Sequence, residues 1–548
     1  MTLLYEAMTQ SFVDEGVEVV FCLMGDGNKH WLVDMAAQRG VRLVHARHEG
    51  AALAMADGYA RAGAGDLVGV CAVTYGPGVT QLSTSLMVAT KHGTPLVVFA
   101  ADVPDGMRDS GGHLDIDERA VLEAAGASVR EIRHPQRARD DVRLAFHDAR
   151  VLGRPVALLV GVDVQEQSVG HGAASSGGPI AIPRGRVAPD PRAVDDAVDV
   201  LARAERPLIL AGRGAMASDA RELVVALAHR LGAVVATTFL AKGWLDEYPA
   251  SVGIAGGFTL EESRGVIESA DCVLALGASL NDHTTDHGRL FGTAAVVQVD
   301  LRPHALVRNQ EGSDVYLRGD VSQTVGALLA ALEQTGSAPG PWAGSIDPVA
   351  LDPRSAHVAS TPIDIEEGRV DPRRLMLALD RVLPDDALIV VGGGHFMAFA
   401  AQYLSNPGRR SFEMAFDFMT TGQAVPTAIG AAVARPDRMV VAIEGDASFL
   451  MHVQELETAA RSGIPLLVMV MNDGALGAEY HNLRAHGLDP SEALAPTPDL
   501  ARLGRALGGA GMRLDSLQQV DELMGWFEPS GGPHVVDCAI SRRVVGPV

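Results

Sequence analysis

RMVVAIEGDASFLMHVQELETAARSGIPLLVMVMNDGALGAEY, residues 438–480, is the stretch on which the fold turns. Its apolar run Val440 to Ile443 stops at Gly445-Asp446-Ala447-Ser448. A helical pattern follows through Ala460, Gly463 closes it, and a second apolar run, Leu466 to Met471, ends at Asn472-Asp473-Gly474. Two strand-length runs flanking a helical pattern spell a β-α-β unit. Both strands of such a unit end on one sheet edge, which lets Asp446 and Asp473, 473 − 446 = 27 residues apart, meet in space. Oxygen ligands there suit a hard cation such as Mg²⁺, and free N–H groups at a helix start suit a phosphate, so together they can hold a metal-bridged diphosphate. A helix cap at Asp446 and an ordinary turn at Asn472-Asp473-Gly474 account for the same residues, and both readings stay open at this level.

The whole chain narrows the choice. Its 548 residues suffice for three domains of ordinary size. With 47% hydrophobic and 5% aromatic residues, 60 Gly and 29 Pro, the composition suits an α/β enzyme with small residues at turns and helix-sheet contacts. A formal net charge of −23 excludes a nucleic-acid backbone or an anionic membrane surface as the main partner. An anionic ligand must then be held locally, by a metal or by helix ends. Cys22, Cys71, Cys272 and Cys538 are scattered without zinc-type spacing and are expected to be buried free thiols. The N-terminus, MTLLYEAMTQSFVDEG, reads as an amphipathic helix without a basic leader region, and no apolar stretch reaches membrane-spanning length, so a cytoplasmic location is expected.

Two stretches rich in Gly, Ser, Ala and Pro, 167–192 and 335–372, read as linkers between three α/β blocks, 1–166, 193–334 and 373–548. The outer two blocks share a general layout. In the first, a strand Val19–Met24 ends at Gly25-Asp26-Gly27-Asn28, and Val41–His45 leads to Glu49 at the start of a small-residue helix, where the helix dipole favours a carboxylate. Val68–Val73 runs into Thr74-Tyr75-Gly76-Pro77-Gly78, a turn whose lack of bulk lets a flat ligand lie against the backbone. The middle block, with strands Pro207–Gly212, Cys272–Gly277 and Val296–Asp300, looks like an open parallel sheet of dinucleotide-binding type, although its glycine turns are weak evidence for a nucleotide. In the third block, Ala387–Val391 leads to Gly392-Gly393-Gly394-His395, and FMTTGQAVP, 418–426, precedes a helix. Several glycine-containing loops on one strand edge suit a phosphate-bearing ligand.

As a set, Glu49, Thr-Tyr-Gly-Pro-Gly, the central stretches TTFLAKG and QVDLRP, Gly-Asp-Ala-Ser and Asn-Asp resemble the thiamine-diphosphate-dependent decarboxylases and carboligases of the acetolactate synthase and pyruvate decarboxylase group. The likeness spans nearly the whole chain. It implies three doubly wound parallel-sheet domains, pyrimidine-binding, central and diphosphate-binding. It also implies thiamine diphosphate with Mg²⁺ or Ca²⁺, and a homodimer or homotetramer, since the cofactor of that group lies between two chains. Asp446, Asp473 and the Ala475 carbonyl match the metal ligands, and Glu49 matches the activator of the aminopyrimidine ring. Gly76, Pro77 and Gly78, with Gly394, His395 and Gly422, are implied cofactor contacts, as are Ala447, Ser448, Leu476 and Gly477.

The departures are specific. Gly-Asp-Gly of the group is Gly-Asp-Ala here, and Asn-Asn is Asn472-Asp473, which keeps an oxygen ligand while adding negative charge. The bulky apolar residue that bends the cofactor aligns near Thr421, with Met419 two positions earlier. A Phe-Gln pair of acetolactate synthases is absent at His113-Leu114. Asp26, Glu479 and His113 fall where pyruvate decarboxylase-like enzymes carry acid-base groups. The activity implied is decarboxylation of a small 2-oxo acid, with protonation to an aldehyde or ligation to an aldehyde or ketone acceptor. A carboxylate pair in such a pocket is expected to share a raised pKa. Non-decarboxylating cleavage of a diketone or acyloin, and an inactive cofactor-binding regulatory relative, are the alternatives. FAD is not expected, because Gly277-Ala278-Ser279 lacks the arginine of flavin-containing relatives.

Overall fold

The computed structural model describes residues 2–63, 65, 67–108, 110–169, 178–180, 185–302, 312–336, 340–347, 351, 362–406, 411–529 and 531–546. Every apolar run named above becomes a strand, with ends moved by one or two residues where the loop chemistry takes over. The N-terminal sheet comprises β1 (Val19–Cys22), β2 (Arg42–His45), β3 (Gly69–Val73), β4 (Leu96–Asp102), β5 (Ser128–Ile132) and β6 (Val156–Gly161), in the spatial order β2-β1-β3-β4-β6-β5. The central sheet holds β7 (Pro207–Ala211), β8 (Val234–Thr237), β9 (Ser251–Ile254), β10 (Cys272–Leu276), β11 (Ala295–Asp300) and β12 (Val315–Arg318), ordered β12-β11-β10-β7-β8-β9. The C-terminal sheet is built from β13 (Leu388–Gly392), β14 (Ser411–Ala415), β15 (Val440–Gly445), β16 (Leu466–Asn472), β17 (Ala510–Leu514) and β18 (Pro533–Ala539), ordered β14-β13-β15-β16-β18-β17. All pairings between these strands are parallel. Helices cover both faces, so central strands such as β4 and β16 are buried at every position and read as continuous apolar runs.

The outer sheets therefore share one strand order, and each reverses direction between its first and third strands. Ligands of open parallel sheets bind at such a reversal. In the N-terminal sheet it separates Gly25–Asn28 from Thr74–Gly78; in the C-terminal sheet it separates Gly392–His395 from Gly445–Ser448. The corresponding crevice of the central sheet is closed. A Cβ at Gly212 would lie 2.3 Å from the Gly277 carbonyl oxygen, and one at Gly277 would lie 2.5 Å from the Gly214 Cα. Those glycines let the two turns pack on each other.

The outer blocks join through the Glu49–Ala62 and Ala424–Ala434 helices, which occupy equivalent places after the second strand of each sheet. Their crossing is reciprocal: a Cβ on Gly58 would stand 1.9 Å from the Thr427 oxygen, and one on Gly430 would stand 1.8 Å from the Met55 oxygen. Each glycine meets the carbonyl three residues before the other, as expected of a local two-fold. One core runs through the contact, including Leu53, Met55, Val425 and Ile429. Gly430→Ala is expected to destabilise the chain by roughly 3 kcal/mol, since neither backbone can move without opening that core. A fall of several degrees in the first thermal transition, read by scanning calorimetry, checks this.

The expected linkers 167–192 and 335–372 lie partly outside the described residues. A helix, Pro191–Leu201, starts within the first, and another, Pro372–Val382, starts at the end of the second. All four cysteines are buried and free. No helix among the described residues is long and apolar enough to cross a membrane.

The helix expected from Ser448 through Ala460 is two helices, Asp446–Phe449 and Glu455–Arg461. The break follows from the ring of His452, whose Nδ1 is 2.8 Å from the Gly422 oxygen, and from Met451, whose sulfur lies 3.3 Å from Thr421 Oγ1. Tertiary contacts with the 420–422 loop outweigh local helical periodicity here.

Candidate cofactor and active site

β15 and β16 deliver Asp446 and Asp473 to the same edge, as the β-α-β reading requires. Asp446 Oδ2 accepts the Gly474 N–H at 3.0 Å, and Asp473 Oδ1 accepts the Ala475 N–H at 2.9 Å. Both carboxyls are buried. Burial and the neighbouring Asp473 push Asp446 up to about 7. Burial raises Asp473 to about 6, against the pull of the Ala475 N–H, Arg542 and Arg369. Two buried carboxyls, both raised by burial and Asp446 also by the charge of Asp473, have electrostatics that suit a divalent cation. Among the described residues no group of three or more His, Cys, Asp and Glu side chains converges. A cation would therefore be completed by carbonyl and ligand oxygens; Ala475 is buried beside Asp473, and among the described residues no backbone N–H outside the helices and strands bonds its carbonyl.

Glycines give this edge its shape. A Cβ at Gly393 would lie 2.4 Å from the Thr420 oxygen, one at Gly422 (φ +80°) 2.9 Å from Met451 Cβ, and one at Gly477 2.8 Å from Asp473 Oδ2 and 3.2 Å from His395 Cβ. Gly477 thus lets Asp473 and His395 meet. His395 Nε2 accepts the Gly546 N–H at 2.8 Å, and burial with nearby His481 lowers the ring to about 3, so it stays neutral with only Nδ1 available. Gly394 has φ +150° and Ala447 is half-buried beside Asp446.

Glu444, inside β15, was not legible as part of this edge. Its carboxylate accepts from Ser448 Oγ at 2.7 Å and from the Ala424 N–H at 2.9 Å, tying the Ser448 turn to the helix behind Gly422. A single acidic residue in an apolar strand, where a charge has no business without partners, is the signal that could have found it.

Phe418 and Met419 have φ of +66° and +56° and remain more than half exposed, while Thr421 is exposed with Met451 against it. Consecutive left-handed non-glycine residues hold only where the surroundings impose them. Here Asp417 is gripped by His92 Nδ1 at 2.8 Å and by Arg61 Nη1 at 3.2 Å, and Arg61 also donates to the Met414 oxygen at 3.0 Å. Burial opposes the charge, yet His92, Arg61 and Arg213 hold Asp417 down at about 2. Leu476, at the other side of the edge, is exposed.

The N-terminal edge carries the second set. Glu49 is the first residue of its helix, half-buried, and makes no hydrogen bond or ion pair among the described residues. Its neighbours are engaged: Arg47 bonds Glu455 and Glu457, and His48 accepts the Gly50 N–H at 3.0 Å. Gly76 has φ +64° and ψ −114°, a conformation open to glycine, with Pro77 starting a short helix and Gly78 packed on Thr74. The His113-Leu114 loop lies on this turn, since the Leu114 oxygen is 3.1 Å from where a Gly76 Cβ would sit; His113 itself is exposed. Asp26 is exposed, paired with Lys29 and 3.3 Å from the Tyr75 hydroxyl. Contrary to the expected raised pKa, the Lys29 hydrogen bond holds Asp26 below the usual range. Lys29 lies one turn along the same segment, a neighbour that the idea of an isolated acid pair left out. Glu479 is exposed in the first turn of the Gly477–Ala485 helix.

Among the described residues no hydrogen bond or ion pair joins Asp26, Glu49 or His113 to Asp446, Asp473 or Glu479, although Arg47, two residues before Glu49, bonds Glu455 and Glu457 of the C-terminal block.

Comparisons with known proteins place these edges in a family. Residues 3–121 match the N-terminal TPP binding domain of thiamine pyrophosphate enzymes, 194–328 their central domain and 392–538 their C-terminal TPP binding domain. An acetolactate synthase large subunit of Parasynechococcus marenigrum (strain WH8102) is 30% identical over 525 residues, covering 92% of this chain and 81% of that protein. A probable 2-ketoarginine decarboxylase of Pseudomonas aeruginosa is 30% identical over 537 residues, 96% of this chain and 92% of its own length. With three domain models matched in order and relatives aligned almost end to end, the chain belongs to the thiamine pyrophosphate enzyme family.

Proposed function

We propose that the chain binds thiamine diphosphate with Mg²⁺ or Ca²⁺ and decarboxylates a small 2-oxo acid, releasing an aldehyde or joining the acyl unit to an aldehyde or ketone acceptor. The observation that carries this is the buried Asp446–Asp473 pair, on two neighbouring glycine-shaped loops at the strand edge beside the reversal of the C-terminal sheet. Asp446, Asp473 and the Ala475 carbonyl would hold the cation. The Gly394-His395, Thr421-Gly422, Ala447-Ser448 and Leu476-Gly477 loops would surround the diphosphate and the thiazolium ring, and Met419 or Met451 would support the bend. Gly76-Pro77-Gly78 would face the pyrimidine, with Glu49 accepting and returning a proton at its ring nitrogen. When bound, thiamine diphosphate supplies the electron sink that makes loss of carbon dioxide from a 2-oxo acid possible. Asp26, Glu479 and His113 would hold and deliver protons around the reacting carbon.

A homodimer or homotetramer would assemble the site from the N-terminal edge of one protomer and the C-terminal edge of its partner; in support, among the described residues no hydrogen bond or ion pair joins the two sets of site residues within one chain. The domain limits 1–166, 193–334 and 373–548, a cytoplasmic location and a chain without FAD, nucleic-acid or membrane partners complete the proposal. The names of the two relatives support decarboxylation and carboligation, and nothing favours a diketone lyase or an inactive relative.

The test is product analysis with cofactor and Mg²⁺ on pyruvate, longer 2-oxo acids, 5-guanidino-2-oxopentanoate and phenylglyoxylate, with and without an added aldehyde. Carbon dioxide release from at least one of them is expected. A protein that binds the cofactor, cleaves a diketone and releases no carbon dioxide from any 2-oxo acid refutes it.

A further inference from the structure

Behind the Gly76 turn lie two carboxyl groups with no part in the chemistry above. Asp102 ends β4, and Glu118 opens the Glu118–Ala124 helix; the two residues are 0% and 1% exposed. Glu118 Oε1 accepts the Gly76 N–H at 3.1 Å. Asp102 Oδ2 is bonded by the Arg108 guanidinium, which also reaches Asp105 at 3.0 Å and Glu131 at 3.5 Å. One oxygen is left on each acid: among the described residues Glu118 Oε2 and Asp102 Oδ1 are buried and make no hydrogen bond.

The two carboxyls stand within hydrogen-bonding reach of each other. Two ionised carboxylates in that arrangement repel and have no proton to share, whereas one proton between them satisfies both leftover oxygens. Burial raises Asp102 as well, but the Arg108 guanidinium pulls it back towards the charged form, which places the proton on Glu118. Burial, with Asp102 alongside, pushes Glu118 up to about 7 against the pull of the Gly76 N–H. The other charged groups of the neighbourhood, Arg119 and Arg133, are bonded to Glu131 on β5 at 3.2 and 2.7 Å.

We propose that Glu118, hydrogen-bonded as the neutral acid to Asp102, is a positioning residue that fixes the Gly76-Pro77-Gly78 turn, and that loss of the shared proton releases the turn together with the His113 loop resting on it. This rests on the proposed function in one respect, that the turn faces the cofactor. The sign is set by the pair: below about pH 7 one proton and one charge hold the turn, and above it two buried like charges push apart.

The experiment is titration of the full-length protein with thiamine diphosphate and Mg²⁺, followed by tryptophan fluorescence and near-ultraviolet circular dichroism, from about pH 6 to about pH 8.5, with kcat and KM alongside. Relative to the Glu118→Gln variant, which shares the titration of the Asp446–Asp473 pair, the unaltered chain is expected to lose about tenfold in cofactor affinity over that range. Glu118→Gln keeps an acceptor for Gly76 and a donor for Asp102 without a titrating proton. Its affinity is expected to match the unaltered chain at the acid end and to show no alkaline loss, keeping only the pH dependence of the Asp446–Asp473 pair. Glu118→Ala is expected to bind about tenfold more weakly than Glu118→Gln at every pH. A Gln variant whose affinity keeps a constant ratio to that of the unaltered chain from the acid to the alkaline end overturns the proposal, and so does one that binds as poorly as the Ala variant. Failure of the unaltered chain to bind thiamine diphosphate at any pH counts instead against the proposed function.

Discussion

Glu49→Gln is expected to bind thiamine diphosphate and the cation nearly as well as the unaltered chain while losing roughly 10²- to 10⁴-fold in kcat, the usual scale for removing a positioned acid-base group. The expectation comes from what Glu49 lacks. It is half-buried at a helix start, yet Arg47 and His48 on one side and the Gly50 N–H on the other are all bonded elsewhere. A carboxylate left without a partner at that depth is poised for a ligand's ring nitrogen. Glutamine keeps the shape and a hydrogen bond but neither takes nor returns a proton. Circular dichroism of the bound cofactor, measured with carbon dioxide release, separates binding from turnover. A variant within about fivefold of the unaltered kcat would remove Glu49 from the chemistry.

Asp446→Asn carries the second large effect, and its sign differs with and without ligand. In the ligand-free chain Asp446 and Asp473 are 3% and 5% exposed, and burial plus mutual repulsion raises the proton affinity of Asp446. Asparagine removes one charge and keeps an acceptor for the Gly474 N–H, so the ligand-free variant is expected to be about 1–2 kcal/mol more stable. The same change removes a cation ligand, and cofactor affinity at limiting Mg²⁺ is expected to fall about 100-fold. Melting curves taken with and without Mg²⁺ and thiamine diphosphate should cross over between the two proteins. A ligand-free variant that melts below the unaltered chain would show that the pair does not repel, and the cation site would lose its physical basis.

Periodicity made the strands and the outer layout legible, because a parallel strand buried on both faces is a continuous apolar run whatever surrounds it. The loops carrying Glu49, Gly76, Asp446 and Asp473 were legible too, since a strand's end fixes where its following residues lie. Burial was not. Asp57 and Arg61 have the spacing of an ordinary solvated pair on a helix, yet both are buried, and Arg61 braces the Asp417 turn from the other outer block. Asp102 and Glu118 sit in LVVFAAD and DERAVLEA, where an acid looks like a strand end or a solvated first turn. The helix break at Met451-His452 depends on a loop 30 residues away in sequence, beyond the reach of any local pattern.

The reciprocal glycine crossing between Gly58 and Gly430 also sets a timetable for synthesis. It joins residues 430 − 58 = 372 positions apart. At about 5–20 residues per second, a ribosome needs roughly 20 to 75 s to supply the second half of that contact after the first. For that interval the small-residue face of the Glu49–Ala62 helix has no partner, and the N-terminal block leaves the exit tunnel with part of its eventual core exposed. A chain stalled or cut before residue 424 would keep that face permanently bare, which makes chaperone capture and aggregation of such fragments the expected fate.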